Sequence, residues 1–135
     1  MPMLSKRINF IFLLMFFLAG LLPAVLSGCA GPQPLPKQRA RAIDLDRKGA
    51  EFFHQGQYAK ALSFFQKSLR INESIDNREG VALSLNNVGM VYQSTGEYVR
   101  ALDCYQRALT INSEIGSPEG QSLNLNNIGS VTLSL

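Results

Sequence analysis

Few residues in this chain could carry chemistry, and their spacing limits what that chemistry is. The 135 residues include two cysteines and one histidine. Cys29 follows an apolar segment and small residues, which suits covalent modification of its thiol, whereas Cys104 falls within a helical pattern and is expected to be a partly buried, inert thiol. His54 lies at a predicted helix end with no second metal ligand beside it. The sequence contains no nucleophile paired with a base, no glycine-rich phosphate loop and no metal-ligand cluster. We therefore predict that the protein is not an enzyme and that it binds no cofactor and no metal.

The segment that precedes Cys29 has the features of an export signal in their usual order. Two basic residues precede an apolar stretch at Ile8–Leu22, and the segment ends in the run Leu26-Ser27-Gly28-Cys29. This run resembles the lipobox of bacterial lipoproteins. The resemblance implies that residues 1–28 are a signal peptide and that Cys29 carries a diacylglycerol thioether and an acylated amine. The alternative is an uncleaved membrane-spanning helix, but the apolar run is shorter than the roughly 20 residues that a span needs.

A proline-rich spacer follows the predicted lipidation site. Residues 29–38 contain the cysteine and three alternating prolines, which favour an extended segment. Two or three acyl chains hold a protein on a bilayer, at about 0.8 kcal/mol per buried methylene. The expected location is therefore the cell envelope, with a lipid anchor. Ala30, rather than an aspartate, follows the predicted lipidated cysteine. In a Gram-negative host this resembles the signal for sorting to the outer membrane, with the domain facing the periplasm.

The charge balance excludes one class of partner. Of the 13 basic residues, Lys6 and Arg7 belong to the predicted signal peptide, which leaves 11 against 10 acidic residues. A nearly neutral remainder lacks the basic surface that nucleic acids require. We therefore expect no nucleic-acid binding.

An internal repeat with a period of 40 organises the rest of the chain. Residues 44–83 and 84–123 are identical at 14 of 40 aligned positions, and residues 125–129 begin a third copy. Gly56 and Gly96 lie where a helix would end in a left-handed residue, so each unit is predicted to be two antiparallel helices joined by a tight turn. One helix face in the second unit is formed by Tyr98, Ala101, Leu102, Tyr105, Ala108 and Leu109.

A further glycine interrupts the first helix of each unit. Gly49, Gly89 and Gly129 cost about 1 kcal/mol each relative to alanine in a helix interior. The expected compensation is a close approach of the partner helix at Ala61 or Ala101.

These patterns, L-x-N-x-G-x-x-Y followed by G-x-Y-x-x-A-L-x-x-Y-x-x-A-L, resemble the tetratricopeptide repeat. The 40-residue period is similar to the variant found in kinesin light chain and in bacterial peptide-sensing regulators. The resemblance implies an all-α fold, an α-solenoid of antiparallel helix hairpins with about two and a half repeats in residues 39–135. The expected units are residues 42–77, 78–117 and a partial unit at 118–135.

The first helix of each hairpin is expected to line the concave wall of such a stack. The resemblance implies that Asn87 and Asn127 form a ladder that pairs with a partner's backbone, because a carboxamide both donates and accepts hydrogen bonds. Arg47, in the corresponding place of the first unit, would meet a carboxylate. The alternative is that the asparagines bond between neighbouring repeats or face water. The predicted partner-binding residues are Asn86, Asn87, Met90, Gln93, Asn126, Asn127, Ser130 and Arg47.

The third unit has no second helix after it in this sequence, so Leu125, Ile128 and Val131 are expected to be uncovered. The sequence favours the front part of a longer protein over docking of this end on another chain. The resulting functional interpretation is a membrane-anchored scaffold that binds a protein or extended peptide in its groove. One alternative is the targeting and substrate-recruiting fragment of a protein with a C-terminal catalytic domain, such as a caspase-like peptidase. Another is self-association through the uncapped half-repeat.

Overall fold

The computed structural model describes residues 36–135, which form five helices and no strand. The helices are α1 (Lys37–His54), α2 (Tyr58–Ser74), α3 (Arg78–Ser94), α4 (Tyr98–Glu114) and α5 (Pro118–Thr132). The predicted all-α fold is therefore confirmed for this part of the chain. The predicted signal peptide and the lipidation site at Cys29 lie outside the described residues, and α1 begins within the segment predicted as spacer.

Left-handed residues end the helices, as the glycine pattern predicts. Gly56 and Gly96 have φ values of 70° and 78°. The backbone N–H that follows each glycine donates to a carbonyl of the last helical turn, at 2.9 Å from Gln57 to Phe52 and at 2.8 Å from Glu97 to Tyr92. These bonds satisfy carbonyls that the end of a helix would otherwise leave unpaired. The short turns force consecutive helices to run antiparallel.

The helices stack in chain order, and the stack is curved. Each helix packs against the next one along the chain; α1 also touches α3, and α3 touches α5. Between α2 and α4, by contrast, no close approach occurs within residues 36–135. Because the first helices of successive hairpins meet while the second helices are spread apart, the first helices lie on the inner, concave side.

An aromatic ring fills the space beside Gly49 in the first hairpin and beside Gly89 in the second. A Cβ atom added at Gly49 would lie 2.6 Å from Cε1 of Phe65, and one added at Gly89 would lie 2.7 Å from Cε1 of Tyr105. The nearest neighbours are therefore rings of the second helix, where alanines were expected. Ala61 and Ala101 are themselves fully buried and belong to the same core cluster.

The end of the stack is less open than the sequence suggests. Val131 was expected to be uncovered, but it is 0% exposed and packs into the cluster that contains Val88, Val91 and Tyr105. Its counterpart one repeat earlier, Val91, faces the same way. Leu125 is exposed as expected, and Ile128 is partly buried. The face of α5 that turns toward the preceding hairpin is thus covered, and the side chain of Leu125 is exposed.

Candidate functional site

A row of exposed apolar side chains crosses the concave wall of the solenoid. Ile43, Leu83 and Leu123 occupy the same position in α1, α3 and α5, and they are 52%, 52% and 46% exposed. Single exposed apolar residues are ordinary, but three at equivalent positions of the first helices are a repeated feature of the wall. None of the three is among the predicted contacts, although their spacing of 40 residues is visible in the sequence. We call these three residues the apolar row.

Three polar residues and one methionine flank the apolar row further along the same helix faces. Arg47, Asn126, Ser130 and Met90 are exposed, and all four were predicted as contacts. Arg47 does not stand free, because its guanidinium pairs with Asp44 at 2.7 Å and with Glu51 one turn later. These exposed groups offer both donors and acceptors along the groove.

Asn86 is placed differently from the prediction. It is only 5% exposed, because the next first helix packs over it. Its Oδ1 atom accepts from Nδ2 of Asn127 at 2.8 Å and from Nδ2 of Asn124 at 3.3 Å. Its own Nδ2 donates to the sulfur of Met90 at 3.6 Å. The amide of Asn86 thus joins α3 to α5, which leaves little of it for a partner.

Gln93 also connects neighbouring helices. Its Oε1 accepts from the Tyr105 hydroxyl at 2.9 Å, and its Nε2 donates to Oγ of Ser130 at 3.1 Å. Burial raises the pKa of Tyr105 to about 12, so the phenol keeps its proton for this bond at neutral pH. Gln93 and Ser130 therefore align α5 on α3 and α4 at one edge of the groove.

Asn87 contacts the first unit through Asp46, the residue that precedes Arg47. Asp46 accepts hydrogen bonds from Ser68 at 2.7 Å and from Ser84 at 3.5 Å, and the amide of Asn87 lies near enough to lower the pKa of its carboxyl. Asp46 and Asn86 occupy equivalent positions, as do Asn87 and Asn127. The contact of Asn86 with Asn127 joins α3 to α5, and Asp46 and Asn87 are in the same relation between α1 and α3. The structure thus places Asn87 and Asn127, the predicted ladder residues, beside the preceding first helix, and both side chains remain partly exposed.

Partial burial of Asp46 makes stability depend on pH. Desolvation raises the pKa of its carboxyl above 3.8, against the opposing effect of its hydrogen-bond donors. Because the folded pKa exceeds the unfolded one, this contribution to stability is complete below pH 3.8 and is lost as pH rises through the folded pKa.

We expect Asp46→Asn, which copies Asn86, to remove this dependence. Relative to the wild type, the variant should gain free energy of unfolding as pH rises from below 3.8 to neutrality. Urea unfolding of both proteins at the two pH values measures the change. A difference in stability that stays constant with pH would contradict the expectation.

The other chemical groups offer little for a reaction. Burial raises the pKa of the Cys104 thiol, which keeps it protonated and unreactive. Within residues 36–135, no three histidine, cysteine or acidic side chains lie close enough together to hold a metal ion. None of the helices from α1 to α5 combines the length and apolar character that crossing a membrane requires.

Comparison with known proteins agrees with the geometry. Residues 41–114 match the family model of the tetratricopeptide repeat, which covers more than half of the chain and reaches from α1 to the end of α4. A comparison with curated proteins found no significant match. Repeats of this kind are modules for protein–protein interaction and are typically not catalytic. The match, the antiparallel hairpins and their concave wall together show that the chain belongs to the tetratricopeptide repeat family.

Proposed function

We propose that this protein is a lipid-anchored scaffold of the bacterial cell envelope that binds a partner protein or an extended peptide on its concave wall. The apolar row carries the proposal, since Ile43, Leu83 and Leu123 present half-exposed side chains at one position on α1, α3 and α5. Because each side chain is already about half covered, burial of the rest by a partner would contribute about 0.8–1.5 kcal/mol per residue before the costs of association. The row therefore supplies anchoring contacts that the polar residues alone would not.

The dimensions of the groove suit a peptide. Neighbouring packed helices lie about 8–10 Å apart, so a row across three first helices spans roughly 16–20 Å. An extended chain covers that length with about six residues at 3.3 Å each. Alternate side chains of such a peptide would meet the apolar row, while Asn126 and Ser130 remain exposed beside it to meet its backbone.

The sequence before the helices supports the anchor. The basic start, the apolar stretch at Ile8–Leu22 and the small residues before Cys29 occur in the order of a lipoprotein signal. With Cys29 acylated, the groove would work at a membrane surface. In a Gram-negative host we place it on the periplasmic side of the outer membrane.

Site-specific crosslinking tests the groove and the anchor in one experiment. A photoreactive amino acid replaces Leu83 in the groove or Val99 on α4, which is 72% exposed and serves as the control. Cells that carry labelled palmitate then express each chain with Cys29 intact or as Cys29→Ala. We expect a discrete adduct from position 83 alone and palmitate label only with Cys29 intact. Equal adducts from both positions would refute the groove, and palmitate in Cys29→Ala would refute the anchor.

Affinity measurements with the crosslinked partner complete the test. We expect Leu83→Ser to weaken binding by about tenfold to a hundredfold, because a leucine buried at the interface is replaced by a small polar group. Val99→Ser should leave affinity unchanged. Since both side chains are exposed, both variants should keep the melting temperature of the wild type. An equal loss of affinity in the two variants would contradict the assignment of the groove.

A further inference from the structure

Three cations surround a cleft at the N-terminal end of the stack. The cleft has a volume of about 270 Å³ and lies between α1 and α2. Its lining consists of Arg41, Leu45, Lys67, Arg70, Ile71 and Ser74. We call it the basic cleft. Arg41 approaches it from α1, and Lys67 and Arg70 approach it from α2, so positive charge converges from two helices.

The three cations of the basic cleft form no ion pair with an acidic side chain of the described residues. Within residues 36–135, none of the ion pairs involves Arg41, Lys67 or Arg70. In the second unit, Arg107 takes the place of Lys67 and pairs with Asp103 at 3.7 Å. The residue equivalent to Asp103 in the first unit is a neutral serine. Both units therefore have a cation at this position, but only the second unit has an acidic residue that neutralises it.

The charge of the whole first hairpin follows the same trend. Residues 36–77 hold eight basic and five acidic residues, a net charge of +3, whereas residues 78–117 hold three basic and four acidic residues, a net charge of −1. Two differences between the units place positive charge in the cleft itself. Arg41 stands where the second unit has a valine, and Arg70 stands where it has a threonine. The excess of positive charge is therefore concentrated in the hairpin that follows the predicted anchor.

The surroundings of the cleft hold its cations in place. Nζ of Lys67 lies 5.4 Å from the centre of the Phe64 ring, a cation–π contact that keeps the ammonium near the surface of α2. The apolar side chains of Leu45 and Ile71 also line the cleft. Apolar walls beside exposed cations strengthen the attraction for an anion, because they lower the local dielectric constant.

We propose that the basic cleft binds the phosphate group of an anionic phospholipid in the membrane to which Cys29 is anchored; the source of the phosphate therefore rests on the proposed anchor. Eight peptide units separate Cys29 from Lys37, and even a fully extended chain of that length spans at most about 29 Å. Arg41 lies one helical turn beyond Lys37. The tether thus keeps the basic cleft near lipid headgroups, and phosphate binding there would orient the solenoid on the bilayer.

A solubilising cap is the competing explanation for the same charges. Solenoids commonly end in a polar face, and Arg41 replaces a valine that is buried against the preceding hairpin in the second unit. The charges of a solubilising cap need only be hydrated by water, so they would interact equally with anionic and neutral lipid. Headgroup binding requires that distinction.

Lysine footprinting on vesicles separates the two explanations. The full chain is reconstituted into vesicles of phosphatidylcholine alone or mixed with phosphatidylglycerol, and mass spectrometry follows acetylation of each lysine. We expect Lys67 to react at least about fivefold more slowly on the anionic vesicles, with the protection reversed by salt. Lys48, which pairs with Asp44 at 2.9 Å, is the control and should react equally on both. Equal reactivity of Lys67 on the two vesicles would overturn the proposal.

A variant and two further measurements identify the source of any protection. The double variant Arg41→Gln, Arg70→Gln should lose the protection of Lys67 and keep the circular dichroism of the wild type, since both side chains are exposed. Protection that persists in it would refute the cleft. Equal protection by inorganic phosphate without vesicles would refute the lipid as the source. Intact mass reports the lipid on Cys29; a lipidated chain with unprotected Lys67 refutes the cleft alone, and a protected chain without lipid refutes the anchor alone.

Discussion

Replacing Tyr105 with alanine is expected to lower the free energy of unfolding by about 3–5 kcal/mol, the usual cost of removing a large buried ring. Tyr105 is 0% exposed, and its ring rests on the backbone of α3 at Gly89. Because Gly89 has no side chain, nothing at that position can fill the cavity that removal of the ring would leave. Urea unfolding monitored by circular dichroism measures the loss, which approaches the total stability of a typical domain.

Tyr105→Phe is the matched control. It keeps the ring and removes only the hydroxyl, which donates to Gln93 at 2.9 Å. We expect it to cost about 1 kcal/mol, the net contribution of one hydrogen bond together with the acceptor that is left unpaired. If the two variants were equally destabilised, the hydroxyl would be the important group, and the account of ring packing on Gly89 would be wrong.

The helical solenoid could be predicted from sequence because its determinants are local and repeated. Gly56 and Gly96 mark helix ends through a backbone conformation that other residues adopt less readily, and the structure shows both with positive φ. The apolar spacing around Tyr105 identifies one helix face without reference to any distant residue. Each of these patterns occurs again 40 residues later, so the prediction of the helices does not depend on either unit alone.

The partners of buried polar groups could not be predicted, because they depend on distances between helices. Ser68 departs from the repeat motif, where the second unit has alanine, and sequence alone gives this change no purpose. In the structure its hydroxyl lies 2.7 Å from Asp46, which itself replaces Asn86 of the second unit. The two departures therefore compensate each other across α1 and α2. Helical periodicity specifies the face on which a residue lies but not whether its amide meets another amide there.

The apolar row was accessible to sequence reasoning but required a different criterion. Leu83 and Leu123 are identical in the repeat alignment, and Ile43 is equivalent to both. An apolar residue that recurs at one position of a repeat is normally predicted to lie in the core, because such residues are most often buried. Only the curvature of the stack shows that this position faces solvent on the concave wall. The same curvature brings Asn86 and Asn127 together and so removes Asn86 from the surface.

The glycines in the first helices provide the second large effect on stability. We expect Gly89→Ala to destabilise the protein relative to Gly129→Ala by about 1–3 kcal/mol, the cost of overpacking a filled core. The added methyl at residue 89 would lie 2.7 Å from the Tyr105 ring, whereas at residue 129 it would meet no atom within 4 Å. Both substitutions gain about 1 kcal/mol of helix propensity, so the difference between them isolates the contact with the ring.

Gly129→Ala should by itself raise the free energy of unfolding by up to about 1 kcal/mol, because nothing opposes its gain in propensity. Gly49→Ala extends the comparison, since its methyl would lie 2.6 Å from Phe65 in the first hairpin. We expect it to resemble Gly89→Ala. Thermal and urea unfolding of the three variants decide the matter. Equal stabilisation by all three would mean that the rings of Phe65 and Tyr105 move aside without cost, and that these glycines are not required for the packing of each hairpin.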